Sequence, residues 1–232
     1  MKDGVVNSSP LSGDPRPGNA KFKKLTPVDE NSANPYTLTD DDRTVIGNTT
    51  PKFSGGFGLN ATFKGFDVSA FFNFMYDFDV FNANKVMMTT WASNNYNNFS
   101  MDISAAKRWR NFDDMGNEIR YSPEILAEFN KNATMWNPTS IGRPIAMSYA
   151  VEDGSFLRLN TATIGYTLPR AWTNKVGLSR VRFYASGYNL FTITGYSGYD
   201  PEVDIATGLT PNIDNNRYPR SRTYTFGVQL TF

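Results

Sequence analysis

Between Phe53 and Phe63 apolar residues occupy alternate positions, with Phe53, Gly55, Phe57, Leu59, Ala61 and Phe63 interleaved by Ser54, Gly56, Gly58, Asn60 and Thr62. After Lys64-Gly65 the alternation resumes as Phe66, Val68, Ala70, Phe72, Phe74, Tyr76, Phe78 and Val80. Two strands joined by a two-residue turn follow, with Phe63 opposite Phe66. Opposed side chains across a hairpin share a face, so both apolar sets lie on one surface while Asp67, Ser69, Asn73 and Asp77 point to the other. The same period returns at Ala162, Ile164, Tyr166 and Leu168, at Val181, Phe183 and Ala185, and at Tyr224, Phe226, Val228, Leu230 and Phe232. About five strands are predicted, over 53–63, 66–81, 156–168, 181–194 and 220–232.

These strands are long. From Phe66 to Val80, at about 3.3 Å per residue and a tilt of about 45°, the second rises near 35 Å, more than the ~25 Å apolar band of an outer-membrane barrel. A transmembrane barrel strand needs roughly 9–11 residues with one apolar and one small or polar face. The connections sort as well. If the last strand runs toward the periplasm, the short connections Lys64-Gly65 and Pro169–Arg180 fall on the inside, and the long ones, 82–154 and 195–218, fall outside. That is the rule for bacterial outer-membrane barrels. The expected fold is all-β, a transmembrane antiparallel β-barrel segment covering 53–232, with residues 1–52 as an extracellular loop region and 82–154 as a long extracellular loop.

Composition narrows the chemistry. Lysine and arginine (23) nearly balance aspartate and glutamate (22), so no net field favours nucleic acid. Histidine and cysteine are absent, which removes the usual general base, thiol nucleophiles and zinc-thiolate sites. Aromatics make up 15% of a chain rich in Asn, Ser, Thr and Gly. No run of about 18 apolar residues is present for a helical span. The first residues carry no apolar export segment, and a barrel protein must first cross the inner membrane, so either the sequence is a piece of a longer precursor or the barrel reading fails.

The remaining candidates are weaker. Asp29-x-Asn31-x-Ala33-Asn34 begins like a calcium loop, but Ala33 and Asn34 stand where an oxygen ligand and a glycine are needed, so no metal is assigned. Ser122-Pro123-Glu124 predicts the start of a short helix, with Ile125, Leu126 and Phe129 as its apolar stripe. In 82–154, Trp91, Trp109 and Trp136 beside many amides suit sugar or peptide contacts, or else pack a small core of their own. A different class, a secreted carbohydrate-binding or carbohydrate-active sandwich, would use paired carboxylates such as Asp113 and Asp114, or Asp77 and Asp79.

Several ordered motifs resemble the C-terminal part of SusC/RagA-type TonB-linked outer-membrane proteins. They are Asp42-Arg43-Thr44-Val45-Ile46-Gly47-Asn48, Val151-Glu152-Asp153-Gly154-Ser155-Phe156-Leu157-Arg158-Leu159, Ile164-Gly165-Tyr166-Thr167-Leu168-Pro169, Asn189-Leu190-Phe191-Thr192, Tyr199-Asp200-Pro201-Glu202-Val203, and the final Tyr218-Pro219-Arg220 with Thr223-Tyr224-Thr225-Phe226-Gly227. The resemblance implies the last strands of a plugged outer-membrane barrel of about 22 strands. It further implies import of oligosaccharides or peptides, a SusD-type lipoprotein as extracellular lid, TonB acting through N-terminal parts, and contact with outer-membrane lipid. No enzymatic activity and no cofactor are implied. It also implies that the terminal aromatic strand, Tyr224, Phe226, Val228, Leu230 and Phe232, is the signal read by the outer-membrane assembly machinery.

Overall fold

The computed structural model describes residues 17–28, 30–31, 38–91, 98–141, 145–203 and 212–232. In chain order the elements are strands β1 (Phe53–Phe63), β2 (Phe66–Tyr76) and β3 (Asp79–Asn82), helices α1 (Ala83–Met87) and α2 (Pro123–Asn130), strands β4 (Val151–Asp153) and β5 (Phe156–Thr167), helix α3 (Arg170–Thr173), and strands β6 (Arg180–Thr194), β7 (Ile213–Asp214) and β8 (Thr223–Thr231). They fall into two compact units. One comprises Gly47–Asn82 and Val151–Phe232, the other Met1–Ile46 and Ala83–Ala150.

The first unit is built on a five-stranded sheet in the order β1-β2-β5-β6-β8, with every neighbouring pair antiparallel. It is an open meander, so the connections at Lys64-Gly65 and 168–179 leave one edge, and those at 77–155 and 195–222 leave the other. Phe63 pairs with Phe66 across the two-residue turn. Lys64 and Gly65 both take positive φ, 46° and 89°, the backbone of a tight hairpin whose twist matches its strands.

The expectation of one strand over 66–81 is corrected. The strand stops at Tyr76 because Asp77 turns left-handed, φ 57°, and its N–H donates to Ser155 Oγ at 2.9 Å. Eleven residues tilted by about 45° rise roughly 25 Å, which matches the apolar band without overshoot. Beyond the break, β3 joins a separate three-stranded sheet, antiparallel to β4 and parallel to β7. Phe78, Val80, Phe156, Tyr196 and Val203 form its buried cluster. Gly154 is required there, since a Cβ would lie 2.5 Å from the Phe78 ring.

The second unit is irregular and held by polar anchors. Ile103, Ile119, Ile141 and Val86 are buried. Helix α2 starts at Pro123 as predicted, but Ser122 makes no side-chain cap and the stripe does not seat it: Ile125 and Phe129 are exposed. Asn130 does that work, buried, accepting from Arg110 N–H at 2.6 Å and donating to the Arg110 and Leu126 carbonyls at 2.9 Å each.

Candidate functional site

The five-stranded sheet has two chemically different surfaces, and the pairing register assigns residues to each. One surface carries the rows Phe63-Phe66-Tyr166-Phe183-Val228 and Ala61-Val68-Ile164-Ala185-Phe226. Rings on it pair across strands: Phe53 stacks on Tyr76 at 4.9 Å, Phe57 on Phe72 at 5.0 Å, and Phe66 meets Tyr166 at 4.5 Å. Apart from Ala61 and Ala185 these residues are large, and most of them are exposed. A contiguous apolar face of this extent needs an apolar surrounding.

The face survives an irregularity that alternation alone would misread. In β5, Leu157 and Leu159 are odd-numbered while Ala162, Ile164 and Tyr166 are even. The register with β2 slips by one at Asn160, since Phe72 pairs with Leu159 and Phe71 with Thr161. A bulge of one residue shifts the phase, so both apolar sets stay on the same side. Opposite it, β6 bulges at Asn189 and Leu190, with Asn189 at φ 51° and its Nδ2 donating to the Ser221 carbonyl at 3.1 Å. Leu157 and Leu159 were missed from sequence because the period breaks between them and the rest.

The other surface is polar. Thr163 and Ser186 hydroxyls bond at 2.8 Å, and Asp67 on β2 is bridged to Arg182 on β6, Arg182 Nη2 to Asp67 Oδ2 2.5 Å. Tyr184 lies over Gly227, where a Cβ would come within 2.3 Å of its ring. Near the end from which the long connections leave, Arg158 is 2% exposed and donates to Asp200 Oδ1 at 2.5 Å. Its guanidinium is 3.7 Å from Glu202, whose other oxygen binds Arg220 at 2.6 Å. Burial pushes the Asp200 carboxyl up, but the bonds from Arg158 and the Glu202 N–H outweigh it and hold the group below the ordinary carboxylate range. Burial, with the bond its hydroxyl donates to Asp214 at 2.7 Å, pushes the Tyr196 phenol well above its usual value.

The five aromatic and aliphatic residues of the last strand are all exposed. Tyr224, Phe226, Val228 and Leu230 share the apolar face through their partners Gly187, Ala185, Phe183 and Val181, and Phe232 follows at 88% exposure. The acids considered for catalysis are each engaged in structural bonds. Asp113 accepts from the Met115 and Asn117 N–H groups and Asn117 Nδ2, which holds its carboxyl low, while Asp114 pairs with Arg110. Asp77 pairs with Lys52, and Asp79 accepts from the Asn48 N–H at 2.7 Å. Of the tryptophans, Trp91 stacks on Phe99, Trp136 meets Tyr149 edge-on, and Trp109 covers Gly18. Most of the calcium-like spacing, Asp29 and Ala33-Asn34, lies outside the described residues.

One anchor was not anticipated. Asp42 accepts from the N–H groups of Leu25 (2.8 Å), Thr26 (2.7 Å) and Thr39 (2.9 Å), from the Thr26 hydroxyl (2.8 Å) and from Lys24 (3.3 Å). Those backbone bonds, from Thr26 first, hold its carboxyl far below the ordinary range. The aspartate was visible as part of a motif, but its partners 16 and 17 residues earlier were not.

No protein-family model matches the chain. Individual relatives do. It is 32% identical over 228 residues to TonB-dependent receptor P3 of Formosa agariphila, an alignment covering 96% of this chain and 20% of the relative. It is 32% identical over 164 residues to TonB-dependent receptor SusC of Bacteroides thetaiotaomicron, covering 65% of this chain and 15% of that one. Among solved structures it superposes on the RagAB peptide importer in its closed-closed state with a TM-score of 0.58 and 25% identity, over 88% of this chain and 19% of that chain. The chain thus spans about a fifth of the length of the relatives it matches. Its open five-stranded meander is a segment of the transmembrane barrel of such proteins, and by sequence and fold together the chain belongs with the SusC/RagA-like TonB-dependent receptors.

Proposed function

We propose that this chain forms part of the barrel wall of an outer-membrane importer that takes up oligosaccharides or peptides. The observation that carries this reading is the pairing of one continuous apolar face with one polar face across all five strands, kept in phase through the bulge at Asn160. In lipid the apolar face is solvated by acyl chains and the polar face lines the interior, while antiparallel pairing satisfies the backbone. The relatives named SusC and RagAB support a transport role over an enzymatic one. They also support a SusD-like lipoprotein over the long connections and energy supplied by TonB through other parts of the protein. The terminal strand, with Phe232, serves as the assembly signal. Residues 1–52 and 82–154 lie outside the cell in this reading. The test is to disrupt the full-length gene and follow uptake of labelled oligosaccharides and labelled peptides. Loss of one class identifies the substrate, and unaltered uptake of both counts against import.

A further inference from the structure

We infer that the two described limbs of the connection between β6 and β8, 195–203 and 212–222, are folded inward over the polar face of the sheet as a fixed constriction, with Arg158 as a residue that positions them. The inference rests on the barrel reading above, which makes the polar face the lumen wall. Arg158 lies between Leu157 and Leu159, both on the apolar face, so its own side chain belongs to the polar one. Its register partners are Asn73 on β2 and Thr192 on β6. Asp200 and Glu202 belong to the connection that leaves β6, yet they meet Arg158 on β5. A loop that only bridged β6 to β8 would have no reason to cross β6 in the direction away from β8. This one does, on the inner side.

Both described limbs of the connection are tied at the same point. Asp200 and Glu202 come from the outgoing limb, 195–203, and Arg220 from the returning limb, 212–222. Arg220 binds Glu202 through Nη2 at 2.6 Å, and its N–H lies 3.5 Å from Asp200 Oδ2. Pro201 and Val203 are buried beside these acids. Two guanidinium groups meet two carboxylates, so the cluster is neutral as a whole and needs no outside counter-ion. Arg158 is nearly inaccessible, so removing it would leave Asp200 partly buried without its cation, while Glu202 would keep Arg220. The limbs would keep the β3–β7 pairing and the cluster around Tyr196 and Val203, but would lose their tie to the polar face of β5.

The test uses the full-length protein folded in detergent and reads hydrogen exchange across 195–203 and 212–222. Exchange in Arg158→Gln and Asp200→Asn should rise at least about tenfold, because an unpaired buried charge destabilises what it held. Arg158→Lys, which keeps the charge but not the fork, should fall between parent and Arg158→Gln. Arg170→Gln, an exposed arginine at the opposite edge, should change nothing. On intact cells, a cysteine replacing Thr225, exposed and paired with Ser186 on the polar face, should gain reactivity toward a bulky impermeant thiol reagent when the limbs are released. Unchanged limb exchange in Asp200→Asn, which removes only the loop's charge, overturns the latch even if Arg158→Gln does not assemble. Loosened limbs without any gain in bulky labelling overturn the constriction. A Thr225 cysteine reached only by membrane-soluble reagents overturns the barrel reading instead.

Discussion

Asp67 and Arg182 stand on strands that are not neighbours and join across the one between them. Arg182 Nε and Nη2 bind the two carboxylate oxygens of Asp67 at 3.0 and 2.5 Å, passing over Gly165 of β5. A Cβ at Gly165 would lie 2.4 Å from Arg182 Nη2 and 2.6 Å from Asp67 Oδ1. The glycine is the gap through which the fork reaches its partner. Gly165→Val in the full-length protein should therefore cost about 1–3 kcal/mol in denaturant unfolding from detergent. The cost should shrink when Asp67→Ala and Arg182→Ala clear the space, and additive losses would show that the three residues are uncoupled.

The two surfaces of β8 should respond differently to charge. Val228 pairs with Phe183 on the apolar face and Gln229 with Arg182 on the polar one. Val228→Arg should cost about 2–4 kcal/mol if that face meets the middle of the bilayer, and Gln229→Arg much less. Heat-modifiable folded protein in outer-membrane fractions reports the difference. Equal losses would place the strand away from lipid.

Phe232 is 88% exposed, so its removal forfeits little packing within this chain. If the terminal aromatic is read during assembly, deleting it should lower the amount of folded full-length protein in the outer membrane several-fold while leaving the unfolding midpoint of the remainder near the parent value. A lowered midpoint with normal abundance would assign Phe232 to stability instead.

The meander predicts sidedness. Cysteines replacing Lys64 and Lys175, in the two short connections, should be inaccessible to an impermeant thiol reagent on intact cells, whereas one replacing Asn215, in the long connection before β8, should react. Labelling in the opposite pattern would invert the chain in the membrane.

Asp42 makes a pH-dependent knot. Its carboxyl is held below its unfolded value by the Thr26 and Thr39 N–H bonds, so the stabilisation is complete above the ordinary carboxylate range and is lost as pH falls through the depressed folded value. Amide exchange at Leu25, Thr26 and Thr39, corrected for its intrinsic pH dependence, should stay slow through the ordinary carboxylate range and accelerate only in stronger acid. Asp42→Asn should show the fast behaviour already at neutral pH. Protection lost at the ordinary carboxylate pH would mean these bonds do not favour the ionised form.

Alternation by itself determined the two faces of β1, β2 and β8, the hairpin at Lys64-Gly65 and the separation of short from long connections, because a strand's side-chain period is local and survives without partners. The ordered motifs likewise pointed to the family. What the tertiary structure decided are the events where local period and fold part company. A bulge at Asn160 keeps Leu157 and Leu159 with the apolar set, and a left-handed Asp77 ends β2 and sends Phe78 and Val80 into another core. Helix α2 is seated by buried Asn130 while Ile125 and Phe129 of its apolar stripe stay exposed. The bonds Asp67–Arg182, Arg158–Asp200 and Asp42–Thr26 join residues 115, 42 and 16 positions apart. Such partners are set by the register between strands and the path of loops, which no single stretch of sequence encodes, so the chemistry of the polar face became readable only once the strands were paired.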